Sequence, residues 1–425
     1  MSLIDELQWR GLVHDMTPGT AEQLEKERTI GYVGFDPTAD SLHIGNLVPI
    51  MLLVHLQRAG HKPVALVGGA TGRVGDPSGK TAERQLLTPD LIEHNLDCQK
   101  KQLQKFLRFG DGDTDAMMVN NHDWFEDFSF LDFIREVGKH ITINYMMGKD
   151  SVKSRLDSGM SFTEFSYQLI QGYDFHHLHQ EYGVKLQMGG SDQWGNITTG
   201  IELSRRMGNP ESLFALTAPL VKKADGSKFG KSEGGNVWLD PEKTSPYKFY
   251  QFWLNTSDED VSNFIKVFSL KSKEEIEALS KEHAEAPHLR SLQRALAEEL
   301  TARIHSEQAL SSALEASSIL FGKSTAEALR RLSERDFLDI FAGVEQKEIP
   351  ASLLGQGIDV VEFLSDTTGF LQSRGEARRA LKENSISINK ERIGEGLSIS
   401  SEHLINGAYI LLQRGKKKYF IVKVL

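Results

Sequence analysis

The chain has 425 residues, and at roughly 100 to 200 residues per domain this length predicts two to four domains. Hydrophobic residues make up 39% of it and charged residues 25%, with a mean hydropathy of -0.35. This composition excludes collagen-like, disulfide-rich and wholly disordered classes. No apolar run approaches the ~18 residues that span a bilayer. Cys98 is the lone cysteine and the start at Met1 is unlike a secretory signal, so we expect a cytoplasmic location.

The net charge of -10 is unevenly distributed along the chain. Residues 371–425 contain eleven Lys and Arg against five Glu, while the rest of the chain is strongly acidic. An acidic body with a basic end indicates an enzyme that meets a polyanion mainly through its C-terminal part. A solvated basic surface is the alternative interpretation.

Short β-rich runs alternate with helical patterns over residues 1–223. The predicted strands are 29–35, 63–68, 116–120, 184–188 and 214–221, and helices are predicted at 47–58, 90–109 and 162–179. Such alternation predicts an α/β fold with a parallel sheet, whose ligands bind at the carboxyl ends of the strands.

The rest of the chain changes character in steps. Residues 224–245 form a predicted glycine- and lysine-bearing mobile loop, and 246–335 a small all-helical domain. We expect a linker at 336–350, centred on 346–350. Residues 351–425 predict a mixed α+β domain that ends in a hairpin with a basic turn at 414–418.

One candidate anion site leaves the first predicted strand, turns and enters a helix. Gly34 would let a ligand approach the backbone, and Gly45-Asn46 would place an N-cap residue, Asn46, at the helix start. Free N–H groups at a helix start favour an anion, so His43, Thr38 and the helix start could grip a triphosphate. A plain strand-turn-helix connection with a surface histidine is the alternative.

A P-loop reading of Gly75 to Thr81 fails. The Walker motif requires glycine five positions before the glycine of Gly-Lys-Thr, and that position holds Val74. We keep Lys80 and Arg84 as candidate phosphate contacts. In the later loop, Lys228 and Lys231 offer two ammonium groups that could neutralise charge on a polyphosphate leaving group.

Two further clusters have simpler interpretations beside functional ones. His176, His177 and His179 form a local cluster in which His176 and His179 are three residues apart. No third ligand joins that pair at a convincing spacing, so we predict no metal site. Arg374, Arg378 and Lys382 recur every four residues, with Arg379 alongside. They form a basic stripe on one helix face, and the basic hairpin turn nearby favours RNA binding over mere solvation.

Several colinear segments carry a family resemblance. His43-Ile44-Gly45-Asn46 and Lys228-Phe229-Gly230-Lys231-Ser232 resemble the HIGH and KMSKS signatures of class I aminoacyl-tRNA synthetases. Within that class the chain resembles the bacterial tyrosyl-tRNA synthetase family through the segments 34–43, 68–72, 162–167, 171–174 and 189–196. The end of the chain resembles the family's alpha-L RNA-binding module. Asn46 departs from the pattern, since the family usually has a second histidine there, although an amide can donate a similar hydrogen bond.

The resemblance implies roles for individual residues. The implied tyrosine-binding residues are Tyr32, Asp76, Asn121, Tyr167, Gln171, Asp174, Gln187 and Gln193. The implied ATP-binding residues are Gly34, Asp36, His43, Asn46, Gly190, Asp192, Val221, Lys228, Lys231 and Ser232. The catalytic set comprises Thr38, His43, Asn46, Lys80, Arg84, Lys228 and Lys231, and the tRNA-binding set Arg374, Arg378, Arg379, Lys382, Arg414, Lys416, Lys417 and Lys418.

The resemblance implies a Rossmann-like catalytic domain and tyrosine activation by ATP, followed by transfer to tRNA. We expect Mg²⁺ to accompany the ATP, no tightly bound metal and a homodimer. A catalytically inactive RNA-binding homologue remains an alternative, as does another enzyme of the HIGH superfamily, either a tryptophanyl-tRNA synthetase or a small-molecule nucleotidyltransferase. The retained lysines and the polar pocket residues disfavour the inactive homologue, and the phenol-binding residues and the RNA-binding end of the chain disfavour the other enzymes.

Overall fold

A computed structural model describes residues 2–78, 86–156, 159–227, 229–232, 235–320, 326–415 and 418–425. For residues 154–156, 231, 232 and 320 the description covers the backbone only. Contacts divide the chain into two compact units. The first comprises Met1–Thr244 and Phe252–Ile304, and the second comprises Ser245–Gln251 and His305–Leu425.

A six-stranded sheet runs through the first unit in the order β1-β6-β5-β2-β3-β4. Its strands are β1 (Asp15–Met16), β2 (Ile30–Phe35), β3 (Lys62–Val67), β4 (Met117–Asn120), β5 (Val184–Gly190) and β6 (Phe214–Ala218). All neighbours pair in parallel except β1, which lies antiparallel to β6 at the edge. The predicted parallel-sheet fold class is therefore confirmed. A short hairpin, β7 (Lys231–Ser232) and β8 (Gly235–Asn236), lies in the segment predicted as a loop.

Helices fill the connections of the first unit. They are α1 (Leu3–Trp9), α2 (Thr20–Lys26), α3 (Leu47–Arg58), α4 (Pro89–Leu103), α5 (His122–Phe125), α6 (Phe130–Glu136), α7 (Ile143–Met147), α8 (Asp150–Leu156), α9 (Phe162–Tyr182), α10 (Trp194–Arg206), α11 (Pro246–Leu254), α12 (Asp258–Phe268), α13 (Lys273–Glu285) and α14 (Ser291–Ile304). The boundary between the units falls inside α11. Among the described helices, none is both long enough and apolar enough to cross a membrane.

Helix α3 illustrates how composition sets position. It is apolar on nearly every side, as is typical of a buried helix, and Ile50, Met51 and Leu53 are fully buried. The helix packs on β2, β3 and β5. Because it follows directly from the loop after β2, this packing fixes the turn that carries the first signature segment.

Helices α9 and α10 approach unusually closely because each has a glycine at the crossing. A Cβ atom on Gly172 would lie 3.5 Å from the backbone nitrogen of Gly200, and one on Gly200 would lie 3.0 Å from the Cβ of Phe175. Glycine supplies no side chain to hold the backbones apart. The two helices can therefore present polar residues to each other at the edge of the sheet.

The second unit contains a five-stranded sheet in the order β12-β11-β14-β15-β9 and a two-stranded pair, β10-β13. The strands are β9 (Gln346–Ile349), β10 (Ile358–Asp359), β11 (Ile386–Ile388), β12 (Glu391–Arg392), β13 (Ser398–Ile399), β14 (Tyr409–Arg414) and β15 (Lys418–Val424). The helices are α15 (Glu307–Leu320), α16 (Ala326–Arg331), α17 (Glu334–Ile340), α18 (Val360–Glu362) and α19 (Arg374–Lys382), with a π-helical turn at Phe363–Thr367.

Both faces of this sheet are buried. Leu411 and Ile421 belong to one cluster with residues of α15, α16 and α17, whereas Leu412 and Val422 belong to another with residues of α18 and α19. Alternate residues of a strand point to opposite faces, which explains the division. The α+β module thus shares a core with helices that precede it in the chain.

The predicted linker at 336–350 is wrong. Most of α17 lies in it, and Gln346–Ile349 forms β9, which pairs in parallel with β15. Three of the four residues of β9 are exposed, as expected for an edge strand with polar side chains, and this polarity made the segment resemble a connection. Contacts also assign 305–335, which we predicted to be part of a separate helical domain, to the second unit.

Candidate active site

Two buried side chains on neighbouring strands have polar tips that bond to no described residue. Tyr32 on β2 lies opposite Gln187 on β5, so both side chains point to the same face of the sheet. Within the described part of the chain, the Tyr32 hydroxyl and the Gln187 Oε1 atom are buried without a hydrogen-bond partner. Buried polar groups are rarely left unsatisfied in proteins, so a polar ligand is a natural partner for this face. Gln187 lies within β5, which continues to Gly190 beyond the predicted end at residue 188.

Asp174 on α9 lies close to this pair. Its two carboxyl oxygens accept hydrogen bonds from Asn121 Nδ2 at 3.1 Å and Trp124 Nε1 at 3.0 Å. The side chain is almost fully buried, and burial raises the pKa of the Asp174 carboxyl to about 8, against the opposing effect of these two donors. Burial together with the Asp174 charge also raises the pKa of the Tyr32 hydroxyl well above its ordinary value.

A second carboxylate, Asp36, follows the end of β2. Its oxygens accept hydrogen bonds from Tyr167 Oη at 2.7 Å and Thr71 Oγ1 at 2.6 Å. Asn121 Nδ2 donates to the same Thr71 oxygen at 3.0 Å. The chain Tyr167–Asp36–Thr71–Asn121 therefore links the loops after β2, β3 and β4 to α9.

A cluster of amides surrounds Asp76. Gln193 Nε2 donates to Asp76 Oδ2 at 2.7 Å, and Asn196 Nδ2 lies 3.1 Å from Gln171 Oε1 and 3.2 Å from Ser78 Oγ. Asn196 is nearly fully buried, and its Oδ1 atom has no partner among the described residues. Gln171 and Gln193 also contact each other at 3.4 Å. This cluster is rich in acceptors, as a cationic ammonium group requires.

Asp36 and the residues around Asp76 are joined through α9. As predicted from their spacing, Tyr167, Gln171 and Asp174 lie on this helix, and each bonds to a different partner at the sheet edge. Sequence reasoning missed Thr71, Trp124 and Asn196. The available signal was their position just after the carboxyl ends of β3, β4 and β5.

Glycines keep this edge of the sheet open. A Cβ atom on Gly68 would lie 2.2 Å from Asp36 Oδ1, and one on Gly69 would lie 2.3 Å from Asn120 Oδ1. At Gly190, it would lie 2.6 Å from Asp192 Oδ1. A side chain at any of the three positions would displace the polar group that it meets, so glycine leaves Asp36, Asn120 and Asp192 in place.

The loop after β2 is held by amide side chains of α4. Asn95 Nδ2 donates to the Pro37 carbonyl, Gln99 Nε2 to the Ala39 carbonyl, and Gln102 Oε1 accepts from the Leu42 N–H group. Thr38 is thereby left exposed on a fixed loop. Gly34 on β2 is exposed as well, in agreement with its predicted access to a ligand.

The first signature segment forms a 3₁₀ turn, Ile44–Asn46, before α3. His43 is the residue that caps it, because its Nδ1 accepts from the Gly45 N–H at 3.0 Å, while Asn46 Oδ1 accepts from the His43 N–H at 3.0 Å. Asn46 occupies the N-cap position of α3, as predicted, but its backbone is αR and its side chain makes no capping bond to that helix. Its amide oxygen is used inside the turn.

The two signature segments lie side by side in the first unit. The Ile44 N–H donates to the Val237 carbonyl, and the Leu239 N–H donates to the Leu42 carbonyl. Gly230 has a φ of +88°, and a Cβ atom there would lie 3.3 Å from Ile44 Cγ1. Lys228 falls outside the described residues, as do the side chains of Lys231 and Ser232.

Among the remaining predicted site residues, Lys80 and Arg84 lie outside the described residues. Asp192 lies in the 3₁₀ turn after β5, and Val221 lies three residues beyond β6, because that strand ends at Ala218 and not at 221.

The histidine cluster has local partners. His176 Nδ1 lies 3.1 Å from Ser204 Oγ, His177 stacks on Trp124 with ring centroids 4.5 Å apart, and His179 Nδ1 lies 3.1 Å from the Val184 carbonyl oxygen. In the described ranges, no group of three His, Cys, Asp or Glu residues could hold a metal ion.

In the second unit, α19 carries the predicted basic stripe. Arg374 pairs with Asp366 at 2.5 Å, and Arg414 pairs with Glu376 at 2.6 Å. Arg378, Arg379 and Lys382 are exposed, and the ion pairs found in the described part of the chain include none of them. Lys418 lies over the Phe370 ring at 5.2 Å, while Lys416 and Lys417 fall outside the described residues.

Comparison with protein families matches residues 24–322 to "tRNA synthetases class I (W and Y)". The chain belongs to this family. Residues 336–422 match the "Tyrosine--tRNA ligase SYY-like C-terminal domain". Relatives named tyrosine–tRNA ligase include one from Flavobacterium johnsoniae, 59% identical, with all of both chains covered, and one from Porphyromonas gingivalis, 56% identical with the same coverage. The resemblance predicted from the signatures is thus confirmed.

Solved class I synthetases have the same fold. A C-terminally truncated mitochondrial tyrosyl-tRNA synthetase from Aspergillus nidulans superposes with a TM-score of 0.68 at 31% identity, over 75% of this chain and 94% of that one. A tyrosyl-tRNA synthetase complexed with L-tyrosine from Archaeoglobus fulgidus gives 0.56 at 19% identity, over 73% of this chain and all of that one. At that identity the second comparison supports the fold alone.

The raised pKa of Asp174 predicts how stability depends on pH. The folded protein keeps a proton on this carboxyl up to about pH 8, whereas the unfolded chain loses it near pH 4. Between these pH values the folded state binds more protons than the unfolded state. The free energy of unfolding of the wild type therefore falls as the pH rises. Asp174→Asn cannot titrate, and its stability relative to wild type should rise by about 3 kcal/mol from pH 5 to pH 8.

Urea unfolding of both proteins at pH 5, 6, 7 and 8 measures this difference. Placing the Asn amide against the Asn121 and Trp124 donors adds a cost that does not change with pH, so only the slope tests the prediction. Equal stability differences at all four pH values would contradict the assigned protonation.

Proposed function

We propose that this protein is a tyrosine–tRNA ligase that joins L-tyrosine to ATP, releasing pyrophosphate, and transfers the tyrosyl group from the adenylate to the 3′ end of tRNA(Tyr). Its family membership and relatives that match its full length support the assignment. A single structural observation carries the choice of amino acid: the Tyr32 hydroxyl, which has no partner among the described residues, lies beside the buried Asp174 carboxyl.

This pair is complementary to a phenol. Tyr32 can donate its proton to the substrate's phenolic oxygen, and the substrate hydroxyl can donate to Asp174, whose orientation is set by Asn121 and Trp124. An indole has no hydroxyl to satisfy both groups. Phenylalanine would bury them without partners, and a site of this kind therefore rejects it strongly.

ATP–pyrophosphate exchange with each of the twenty amino acids tests the proposal. Exchange should depend on tyrosine. Tyrosyl-tRNA synthetases reject phenylalanine by about 10⁵-fold, a general figure for such enzymes that was not measured on this chain. Exchange with tryptophan in place of tyrosine, or none with any amino acid, would overturn the assignment.

At the other end of the substrate, we assign the ammonium group to the cluster formed by Asp76, Tyr167 and Gln171, with Gln193 toward the carboxylate. The Asp76 carboxylate supplies the charge, and the amides supply neutral acceptors. Asn196 orients Gln171, and we add it as a positioning residue. Asn121 and Gln187 complete the tyrosine set.

The activation step needs no acid or base, because the tyrosine carboxylate is already ionised when it attacks the α-phosphorus. Catalysis then consists of positioning and of stabilising charge on the departing pyrophosphate. We assign the latter to Thr38, His43, Asn46, Lys80, Arg84, Lys228 and Lys231. Mg²⁺ enters with the ATP substrate, since this ion is usually held by substrate phosphates.

For ATP itself, the exposed backbone at Gly34 and the lack of a side chain at Gly190 support the assignment. Gly34 and Gly190 would admit the nucleotide, and Asp192 would accept a hydrogen bond from the ribose. We assign adenine contacts to the backbone of Val221. Asp36 belongs to the proposed ATP set as well: its two oxygens accept from Thr71 and Tyr167, and a carboxylate oxygen can accept from more than one donor. Ser232 follows the second catalytic lysine in the chain and completes the proposed ATP set.

Tyr32→Phe should separate recognition from stability. The hydroxyl has no partner within the described protein, so its loss should leave the melting temperature unchanged or slightly raised. Tyrosine affinity should fall about two- to tenfold, the worth of one neutral hydrogen bond, while phenylalanine affinity stays constant. Equilibrium binding of both amino acids and thermal unfolding test this, and an equal loss for both amino acids would contradict it.

For tRNA we propose the basic residues of the second unit as the contact surface. Arg378, Arg379 and Lys382 are exposed on α19, whereas Arg374 and Arg414 already have acidic partners. The exposed residues should therefore contribute more than the paired ones. Lys416, Lys417 and Lys418, which closely follow Arg414 in the sequence, complete the proposed set.

Charge reversal tests this surface. The double change Arg378→Glu and Arg379→Glu should weaken tRNA binding about tenfold or more and reduce its salt dependence, because fewer phosphates are neutralised. Lys347→Glu, on exposed β9 of the same unit, is the matched control. Tyrosyl-adenylate formation should stay normal in both variants, and unchanged tRNA affinity in the double variant would refute the assignment.

We also propose a homodimer that buries an apolar surface of the first unit. Phe130, Leu131 and Phe162 are each more than 60% exposed, and Phe130 and Phe162 line a groove of about 680 Å³ together with Phe133 and Ile134. Large exposed apolar patches usually mark protein interfaces. The family that the sequence resembles is typically homodimeric, so a second copy is the proposed occupant.

Light scattering after size-exclusion chromatography distinguishes the two states. Phe130→Asp should convert the dimer to a monomer, because a charge would be buried at the interface. Leu289→Asp changes an equally exposed apolar residue outside this surface and should leave the dimer intact. A dimeric Phe130→Asp protein would contradict the proposed interface.

We also propose a cytoplasmic location, because the proposed role is in translation.

A further inference from the structure

Phe229 lies between the two lysines of the second signature, and its side chain is buried in an aromatic socket. Its ring stacks on Phe268 with centroids 5.4 Å apart and an interplanar angle of 11°, and it meets Phe264 edge-on at 4.9 Å. Trp253 and Phe252 complete the socket at 6.0 and 6.2 Å. The Phe229 side chain is only 6% exposed. An aromatic side chain in a glycine-rich loop is thus packed as firmly as a core residue.

The next residue fixes the chain from the opposite side. Gly230 packs against Ile44 of the first signature, and its carbonyl accepts a hydrogen bond from the Val237 N–H at 3.0 Å. Its positive φ turns the backbone directly after the buried ring. The dipeptide Phe229-Gly230 is therefore pinned between the socket and the turn that carries His43.

Helix α12, which supplies Phe264 and Phe268, is itself held at its C-terminal end. The buried guanidinium of Arg10 donates to the carbonyls of Lys266, Ser269 and Lys271, each at 2.7 Å. Arginines near a helix C-terminus satisfy free carbonyls and complement the helix dipole.

Two further arginines act on the same helix end. Arg303 Nη2 donates to the Phe268 carbonyl at 2.8 Å, and Arg58 of α3 donates to the Leu270 carbonyl at 3.1 Å. Arg58 belongs to the helix that begins at the first signature. The socket is consequently tied to the same element that positions His43.

We propose that Phe229 is a positioning residue that fixes the two lysines of the loop for adenylate formation. The inference rests on the proposed function. In the sequence, Lys228 directly precedes the pinned dipeptide and Lys231 directly follows it, so each lysine is attached to a fixed point of the chain by one peptide bond. Loss of the ring would leave both lysines in the chain but free their backbone, and a displacement of about 1 Å can slow a reaction by about 10²-fold.

Three full-length variants test this role. Phe229→Ala empties the socket, Phe229→Met refills it with a flexible apolar side chain that packs well on aromatic rings, and Phe363→Ala removes a buried phenylalanine from the core of the second unit. Single-turnover adenylate formation and equilibrium tyrosine binding are measured for each, after thermal unfolding has shown that each is folded.

Phe229→Ala should form adenylate about 10- to 100-fold more slowly with tyrosine affinity within twofold of wild type, the pattern of an interaction used in the transition state. Phe229→Met should recover most of the rate, and Phe363→Ala should match wild type. A normal rate in Phe229→Ala would overturn the proposal. So would an equal loss of tyrosine affinity, a failure of Met to recover the rate, or an equal slowing in Phe363→Ala.

Hydrogen exchange of the peptide 229–239 provides a readout that does not require activity. Protection of the Val237 amide should fall in Phe229→Ala and persist in the other two variants. Unchanged protection would overturn the anchor even if the wild type proved inactive with tyrosine. If the wild type showed no tyrosine-dependent ATP–pyrophosphate exchange while its amide protection was as expected, the proposed function would instead be overturned.

Discussion

Burial of the Asp174 carboxyl group is the constraint that organises the candidate active site. A carboxyl removed from water must be protonated or surrounded by donors, and both conditions operate here. The two donors come from the loop and short helix after β4, and Asn121 extends the network to Thr71 after β3. Thr71 in turn donates to Asp36 after β2. One buried acid on α9 thereby requires a defined arrangement of three successive loops.

The parts of this fold with strong periodicity were predictable from sequence. Helix α3 occupies the predicted residues 47–58, because a continuous apolar stretch bounded by a glycine-bearing turn has few alternatives. Strand β9 was missed because its Gln-Lys-Glu side chains suit an exposed edge as well as a connection. The pairing with β15 that makes it a strand is not a local property, since its partner lies more than 70 residues away.

In the candidate site, too, local features were predictable from sequence and long-range contacts were not. Spacing placed Tyr167, Gln171 and Asp174 on one helix, and their types indicated a polar ligand. Sequence spacing could not reveal that Asn196 contacts Gln171 or that Trp124 donates to Asp174, because these contacts depend on how helices and loops pack. At Asn46 the residue type suggested a side-chain helix cap. The side chain instead accepts a hydrogen bond from the His43 N–H, a local bond that competes with capping of α3.

The close crossing of α9 and α10 limits how the proposed amino-acid pocket could be redesigned. Where Gly172 meets Gly200, the space between the two backbones would hold little more than a single Cβ atom, so α9 can shift only slightly toward α10 to admit a bulkier substrate. Enlargement must come from shortening side chains that line the pocket, such as Tyr32 or Asp174. An engineered change in amino-acid preference would therefore proceed through residue replacement on a rigid frame, with the helix positions retained.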